Sequence, residues 1–270
     1  MPEMPEVEQV RRTLEPHVKG KIFQKVEVFL PRLIQYPSAE VFAQKLQGRR
    51  IGQVGRRGKY LVIGTDGGDL IVHLRMTGAL LAGKGQEVPP YAKIKFTFTD
   101  GSLMWFTDIR TFGTLYFVDD GYVIEGLATL GPEPLSGGLT ADYLMDRAKG
   151  SRKPVKTFIL DQTVIAGLGN IYADESLAVA GISPMRLAGD VEEVEFPKLV
   201  EAINRVISQG IRNHGTTFRD YKDGEGQKGS NQNFLLVYGR GGEPCKKCGG
   251  ILSKTKVGGR GTVYCGRCQK

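Results

Sequence analysis

Residues 245–268 read CKKCGGILSKTKVGGRGTVYCGRC and hold every cysteine of the 270-residue chain. Sixteen residues separate two CxxC pairs, which are Cys245 with Cys248 and Cys265 with Cys268. This spacing is typical of a site in which four thiolates hold one Zn²⁺ tetrahedrally. Because cysteine fills all four positions, no position is left for water, and the spacing predicts a structural zinc ion rather than a catalytic one. A pair of disulfides is the alternative, and it would need an oxidising compartment.

The segment that carries these cysteines is strongly basic. Residues 240–270 hold eight Lys or Arg and one acid, whereas the whole chain has a net charge of +8. A compact basic module is suited to bind a phosphate backbone, so the composition predicts a nucleic acid as partner. A solvated tail is the alternative, but a tail that serves only solubility does not need a metal to fold. Residues 1–30 contain no apolar segment typical of a secretory signal, which predicts a cytoplasmic protein.

The periodicity of the chain predicts an α+β protein. Residues 5–15 place Val7, Val10 and Leu14 at helical spacing and predict a helix that Pro16 ends or kinks. Short alternating runs then predict the strands of an antiparallel β-sandwich or barrel, and they cover residues 22–30, 58–63, 70–76, 93–98 and 103–107. Helical spacing predicts further helices over 140–149, 154–163, 170–180 and 192–213.

Turn-rich segments divide the chain into domains. Residues 119–139 carry Gly and Pro clusters typical of a linker. Residues 215–233 are rich in Gly, Asp, Lys, Ser and Asn, and they predict a mobile loop with a function. We therefore predict a helix and β-sandwich domain over 1–130, a linker over 131–139, a helical domain over 140–233 and a zinc β-ribbon over 234–270.

The N-terminus offers chemistry of its own once Met1 is removed. Methionine before a small residue such as Pro2 is normally cleaved, and Pro2 would then carry a secondary amine. An α-amino group titrates near ~8, against ~10.4 for lysine, so a useful fraction is uncharged at neutral pH. Such amines form Schiff bases with carbonyl compounds. Taken without further sequence, a simple lead-in to the first helix is the commoner explanation.

A series of short motifs runs the length of the chain. Residues 2–8 read PEMPEVE, and further motifs are RRGKYL at 56–61, HLRM at 73–76, DIRTFG at 108–113, LGPEP at 130–134, AGLGNIY at 166–172 and VYGR at 237–240. In identity and order these motifs resemble the bacterial formamidopyrimidine-DNA glycosylase (Fpg) family, in which residues 2–8 usually read PELPEVE. The resemblance covers the whole chain, and it implies that residues 140–233 form a helix–two-turns–helix domain.

The resemblance implies a monomeric, bifunctional DNA glycosylase and AP lyase of base excision repair, with one structural Zn²⁺. Its substrates would be 8-oxoguanine and formamidopyrimidines in duplex DNA, and β,δ-elimination would cut the strand. Pro2 would attack C1′ of the damaged nucleotide and become a Schiff base. Glu3 would act as the general acid/base, and Glu6 would position the amine. Lys59, at a hairpin tip, and Lys156 would be lysines near the lesion.

Further residues are implied to contact the DNA. Extruding a nucleotide costs a few kcal/mol, and Met76, Arg110 and Phe112 resemble the residues that fill the gap, with Arg110 bound to the orphaned cytosine. The implied contacts to the DNA backbone are His73, Asn170, Tyr238 and Arg260. The implied loop over the extruded base contains Thr217, Phe218, Arg219, Asp220 and Tyr221.

Two alternatives remain, and one departure bears on specificity. Endonuclease VIII shares the proline nucleophile but removes oxidised pyrimidines, and it usually starts PEGPE and lacks the pair formed by Arg110 and Phe112. A zinc-ribbon relative that binds DNA without catalysis is the other alternative, and intact Pro2, Glu3 and Lys59 argue against it. Thr77 stands where many family members carry Glu, which leaves the preference among lesions open.

Overall fold

The structure is a computed structural model that describes residues 1–83 and 87–270. It divides into two compact units. The first unit comprises Met1–Leu127 and Asn213–Ser230, and the second comprises Ala128–Arg212 and Asn231–Lys270.

The first unit is a β-sandwich with a leading helix. Its helices are α1 (Met4–Val18) and α2 (Ala39–Leu46), and the four-residue α3 (Glu125–Ala128) lies where the unit ends. Its strands are β1 (Phe23–Val28), β2 (Ile34–Tyr36), β3 (Ile51–Arg57), β4 (Tyr60–Thr65), β5 (Gly68–His73), β6 (Gly78–Gly83), β7 (Ala92–Phe98), β8 (Leu103–Asp108) and β9 (Thr114–Val118). One sheet has the order β1-β7-β8-β6 and the other β2-β9-β5-β4-β3. All pairs are antiparallel except β2 with β9, so the predicted sandwich is present with one short parallel pair at its edge.

The apolar stripe predicted on the first helix faces the core of this unit. Val7, Val10 and Leu14 are fully buried in a cluster that includes large side chains from both sheets. Of the two outcomes predicted for Pro16, an end of the helix is not observed, because α1 continues to Val18. Pro16 lies in the last turn, where its missing N–H removes only one hydrogen bond. Gly20, with φ 79°, follows the helix.

The segment Asn213–Ser230 packs with the first unit, although the sequence prediction assigned 215–233 to the helical domain. The Gly224 N–H donates to Thr13 Oγ1 on α1 at 2.8 Å. The Ala82 N–H on β6 donates to the Gly224 carbonyl at 2.9 Å. These contacts join residues more than 130 positions apart, so neither composition nor periodicity could indicate them.

The second unit contains helices followed by a two-stranded ribbon. Its elements are α4 (Ala141–Ala148), α5 (Val155–Leu160), α6 (Asn170–Ala180), α7 (Phe196–Arg212), β10 (Ser253–Val257) and β11 (Arg260–Tyr264). The helix predicted over 154–163 ends early, at Leu160. Helices α6 and α7 approach closely at Gly210, where a Cβ would lie 2.6 Å from the ring of Tyr172. Gly258 and Gly259, both with positive φ, form the predicted turn between β10 and β11.

Candidate functional site

Two buried carboxylates stand at the start of α1, immediately after buried Pro2. Glu3 is 2 % exposed and Glu6 is 1 % exposed. The Glu3 N–H donates to Glu6 Oε2 at 2.8 Å. The Thr216 N–H donates to Glu6 Oε1 at 2.7 Å. Each carboxylate oxygen of Glu6 therefore accepts a hydrogen bond from a backbone N–H. One N–H lies at the start of α1, and the other lies in the segment Asn213–Ser230.

Lys59 lies at the tip of the β3–β4 hairpin, as the family resemblance implies, and the strand predicted over 58–63 begins at Tyr60. Arg57 pairs with Tyr60, so Gly58 and Lys59 alone form the turn, and Gly58 has φ 56°. Lys59 is only 7 % exposed, which excludes an ordinary surface lysine. The Arg56 guanidinium donates to the Gly58 carbonyl at 3.0 Å, so it fixes the turn that presents Lys59.

Glu8 connects this hairpin to α1, and sequence reasoning missed it. The Arg56 Nε donates to Glu8 Oε2 at 3.2 Å. Burial raises the pKa of Glu8, but hydrogen bonds from Arg11 and Arg12 and the charge of Arg56 outweigh burial and lower the pKa to about 2. The carboxylate is therefore charged at neutral pH. Glu8 lies three residues before Arg11 and four before Arg12, and this helical spacing is the sequence signal that could have indicated the ion pairs.

His73 ends β5 as a neutral imidazole. It is 7 % exposed, and its ring packs edge-on against Tyr60 with the centroids 4.6 Å apart. Burial, together with the charges of Arg75 and Lys59, lowers the pKa of His73 from 6.5 to about 3. The Arg75 N–H donates to His73 Nδ1 at 3.0 Å, so the ring proton is on Nε2.

Met76, Arg110 and Phe112 lie on two neighbouring turns. Met76 lies between β5 and β6, and the other two lie between β8 and β9. Because Gly78 pairs with Asp108, these turns are adjacent. Met76 is 38 % exposed and Phe112 is 52 % exposed, which excludes core positions for both. Arg110 Cζ lies 4.9 Å from the centroid of the Phe112 ring, so the guanidinium is held over an aromatic face.

The predicted lesion loop is anchored at its ends and exposed in the middle. Thr217 is buried, whereas Phe218, Arg219 and Asp220 are exposed. The Tyr221 hydroxyl donates to the Glu6 carbonyl at 3.3 Å. Burial, followed by the nearby carboxylates, raises the pKa of Tyr221, so the phenol keeps its proton.

In the second unit, Lys156 lies in a buried ion pair. Its side chain is completely buried, and its Nζ lies 2.6 Å from Asp174 Oδ1 on α6. The ammonium also donates to the Gly261 carbonyl at 2.9 Å and to Thr262 Oγ1 at 2.8 Å. A buried ammonium needs an opposite charge, and Asp174 supplies it. Lys156 joins α5, α6 and the ribbon in this structure.

Asn170 contacts the residue that follows Arg260 in the chain. Asn170 Nδ2 donates to the Gly261 carbonyl at 3.0 Å. Gly169 is the N-cap of α6, and Asn170 is the first helical residue. Arg260 begins β11 with an exposed side chain. The structure therefore brings these two residues together at one end of the ribbon.

Glu175 organises the backbone around Tyr238, and sequence reasoning missed this too. Its carboxylate accepts hydrogen bonds from the N–H groups of Leu236, Val237 and Tyr238 at 2.7 to 2.8 Å. Burial raises the pKa of Glu175, and the three N–H groups oppose that shift. No sequence signal distinguishes this glutamate from the others on helices.

The four cysteines come together as predicted. Their Sγ atoms all lie within 4.8 Å of one another. Cys248 Sγ and Cys265 Sγ are 3.5 Å apart, close to the about 3.8 Å between thiolates that share a tetrahedral zinc ion at about 2.3 Å. A disulfide would bring two sulfurs to about 2.05 Å, so these thiols are free and fit a metal. The donor set suits Zn²⁺ in a closed, structural site.

Within the described ranges, none of the helices is both long and apolar enough to cross a membrane.

Three family models match successive parts of the chain. The formamidopyrimidine-DNA glycosylase N-terminal domain matches residues 1–115. The formamidopyrimidine-DNA glycosylase H2TH domain matches residues 130–222. The zinc finger found in FPG and IleRS matches residues 242–270.

Full-length relatives and solved structures give the same result. The formamidopyrimidine-DNA glycosylase of Pelotomaculum thermopropionicum is 45 % identical, with coverage of 100 % of this chain and 99 % of the relative. That of Geobacillus kaustophilus is 44 % identical, with complete coverage of both. A mutant FPG of Lactococcus lactis in complex with Fapy-dG-containing DNA superposes with a TM-score of 0.93 at 34 % identity, and both chains are fully covered. MutM in complex with carbocyclic 8-oxo-G-containing DNA gives a TM-score of 0.92 at 34 % identity, again with complete coverage.

Proposed function

The chain belongs to the formamidopyrimidine-DNA glycosylase family, and from this premise we propose that it excises oxidised purines through Pro2 and then cuts the strand. It is a DNA glycosylase of base excision repair. The proposal adds the substrates, 8-oxoguanine and formamidopyrimidines, and an AP lyase step by β,δ-elimination. Chromosomal DNA as substrate places its action in the cytoplasm of a bacterial cell.

One observation carries the proposal. Pro2 is buried beside Glu3 and Glu6, and Glu6 also holds the Thr216 backbone of the implied lesion loop. Removal of Met1 would expose a secondary amine at this point. Burial disfavours the charged form of an amine, the neighbouring carboxylates favour it, and Glu3 is close enough to take up the proton of the amine. The amine, two carboxylates and the loop are what base excision at C1′ needs within one site.

The chemistry follows from the amine. Its lone pair forms a bond to C1′, and the bond from C1′ to the base breaks with its electron pair on the departing base. Glu3 supplies and removes protons as the sugar ring opens and the iminium forms. The iminium withdraws electrons and acidifies the C2′ proton. Loss of that proton expels the 3′ phosphate, and a second elimination expels the 5′ phosphate.

The remaining site residues act on the DNA. Met76 and Phe112 fill the gap left by the extruded nucleotide, and Arg110 binds the orphaned cytosine. Lys59 and His73 contact the phosphates next to the lesion. The exposure of Met76 and Phe112 supports their role in filling the gap, and the position of Lys59 at its hairpin tip supports its contact with phosphate.

The second unit binds the DNA backbone. Asn170 and Arg260 lie at one end of the ribbon, and Tyr238 follows the turn held by Glu175. The four cysteines would hold one Zn²⁺ that stabilises the ribbon and takes no part in bond breaking. Loss of the metal would therefore weaken DNA binding first and catalysis as a consequence.

Endonuclease VIII activity is the main alternative, and lesion class separates the two. The test offers duplexes with 8-oxoguanine opposite cytosine or with thymine glycol opposite adenine under single-turnover conditions. We expect excision of 8-oxoguanine at least about tenfold faster, equivalent to about 1.4 kcal/mol of transition-state discrimination. Faster excision of thymine glycol would reverse the assignment. Tight DNA binding with excision of neither base would favour the non-catalytic relative.

A further inference from the structure

The side chain of Thr77 belongs to a closed set of hydrogen bonds beneath the turn that carries Arg110 and Phe112. The Thr77 hydroxyl donates to Asp108 Oδ1 at 2.6 Å. The Arg110 N–H donates to Thr77 Oγ1 at 2.9 Å and lies 3.2 Å from Asp108 Oδ1. The Gly113 N–H donates to Asp108 Oδ2 at 2.8 Å. The two ends of the turn over residues 109–113 are thus tied to one carboxylate.

The hydroxyl of Thr77 is directed at this turn. It acts as donor to Asp108 and as acceptor from Arg110, so its proton and one lone pair are both used. Asp108 is 1 % exposed, and a buried carboxylate orients its donors strongly because water cannot replace them. The next residue, Gly78, has no room for a side chain, since a Cβ would lie 2.5 Å from the Leu74 carbonyl. The backbone on the C-terminal side of Thr77 is therefore fixed as well.

We propose that Thr77 is a positioning residue that sets the discrimination between bases opposite the lesion, by fixing the backbone of Arg110. The inference rests on the proposed function, in which Arg110 binds the orphaned base. Cytosine presents two adjacent acceptors, N3 and O2, on its pairing edge, whereas adenine presents one acceptor beside a donor. A guanidinium has only donors, so it distinguishes these edges only while it is held in place. The anchored backbone at one end and the Phe112 ring at the other hold it.

The test uses Thr77→Val, which keeps the shape and removes the hydroxyl, and Thr77→Ser, which keeps the hydroxyl. Thr97→Val, on β7 of the sheet that contains β6, is the matched control. Single-turnover excision of 8-oxoguanine is measured opposite cytosine and opposite adenine. We expect the ratio of the two rates to fall about three- to tenfold in Thr77→Val, the effect of one ordinary hydrogen bond. We expect Thr77→Ser and Thr97→Val to keep the ratio of the unmodified chain.

A second ratio separates positioning from contact with the lesion. Excision of 8-oxoguanine and of a formamidopyrimidine is compared, both opposite cytosine. We expect this ratio to stay unchanged in Thr77→Val. If the ratio between the two lesions changes while the ratio between the two opposite bases does not, Thr77 acts on the lesion and the inference is wrong. An unchanged opposite-base ratio in Thr77→Val overturns it as well. If that variant unfolds, Thr77→Ala replaces it.

Binding without chemistry distinguishes failure of the inference from failure of the proposed function. Duplexes that carry a tetrahydrofuran abasic analogue opposite cytosine or adenine report Arg110 readout directly. A preference for cytosine that Thr77→Val loses supports the inference even if no base is excised. If the unmodified chain excises 8-oxoguanine normally but binds the two abasic duplexes equally well, the inference is overturned and the proposed function stands.

Discussion

Glu6 Oε1 accepts a hydrogen bond of 2.7 Å from the backbone N–H of Thr216, a residue 210 positions further along the chain. The same glutamate holds the Glu3 N–H through Oε2, and its carbonyl accepts the Tyr221 hydroxyl. Two hydrogen bonds to Glu6 therefore join the first turn of α1 to the segment Asn213–Ser230. In the proposed function, this single buried carboxylate would align the nucleophile Pro2 with the lesion loop.

Glu6→Gln should weaken the attachment of the segment Asn213–Ser230 to α1. An amide offers one acceptor oxygen where the carboxylate offers two, so one backbone N–H loses its partner at a cost of about 1–3 kcal/mol. We expect faster amide hydrogen exchange in residues 213–230 and slower excision. Glu15→Gln, on the same helix but partly exposed, is the control. Unaltered exchange in 213–230 would show that Glu6 does not anchor the segment.

Arg56→Ala should act through Lys59. Arg56 is held by Glu8 and donates to the Gly58 carbonyl, so its loss frees the turn that presents the lysine. We expect excision about tenfold slower, and we expect Lys59→Ala combined with Arg56→Ala to be no slower than Lys59→Ala alone. Exposed Lys25→Ala, on β1, is the control for lost charge. Effects that multiply in the double variant would argue against a shared role.

His73 should make folding stability depend on pH. Its folded-state pKa of about 3 lies below the unfolded value of 6.5, so the unfolded chain alone binds the proton between these values. Stability is therefore complete above pH 6.5 and falls as the pH is lowered towards 3. We expect the unmodified chain to lose about 2 kcal/mol more than His73→Gln between pH 7 and pH 5. Urea unfolding at both pH values measures this, and equal losses would show that His73 titrates normally.

Arg260→Ala should remove one phosphate contact. We expect weaker duplex binding and a plot of log affinity against log salt whose slope is smaller by about one unit. Lys149→Ala, an exposed lysine paired with Asp146, is the control for net charge. If the Arg260→Ala slope equals that of the unmodified chain, Arg260 does not neutralise a phosphate.

The sequence predicted those parts of the molecule that depend on local pattern. The CxxC pairs, the stripe on α1 and most helices of the second unit are confirmed. The hairpin tip at Lys59 is present too, but the family resemblance implied it. Strand β3 was missed because Gly52 and Gly55 interrupt its apolar pattern, and β2 was missed because it has three residues. Strands β6 and β9 were also missed, and β6 has only four residues between its terminal glycines. Strand β3 is stabilised by its neighbours in the sheet more than by its own sequence.

What the sequence could not predict depends on contacts between distant residues. Lys156 lies in a basic run that suggests phosphate binding, yet Asp174 and the ribbon bury it. Asp108 and Glu175 resemble ordinary acids until the structure shows the backbone N–H groups they accept from. The placement of Asn213–Ser230 in the first unit has the same origin. Such roles follow from tertiary packing, which leaves no periodic signal in the chain.

The most direct test of the central claim is covalent trapping at Pro2. Intact mass first establishes that Met1 has been removed, because a retained Met1 would block the amine. The protein is then incubated with an 8-oxoguanine:cytosine duplex and borohydride, which reduces a Schiff base to a stable adduct. We predict a covalent protein–DNA adduct that peptide mass mapping assigns to Pro2. An adduct on Lys59, or none from an active preparation, would contradict the account.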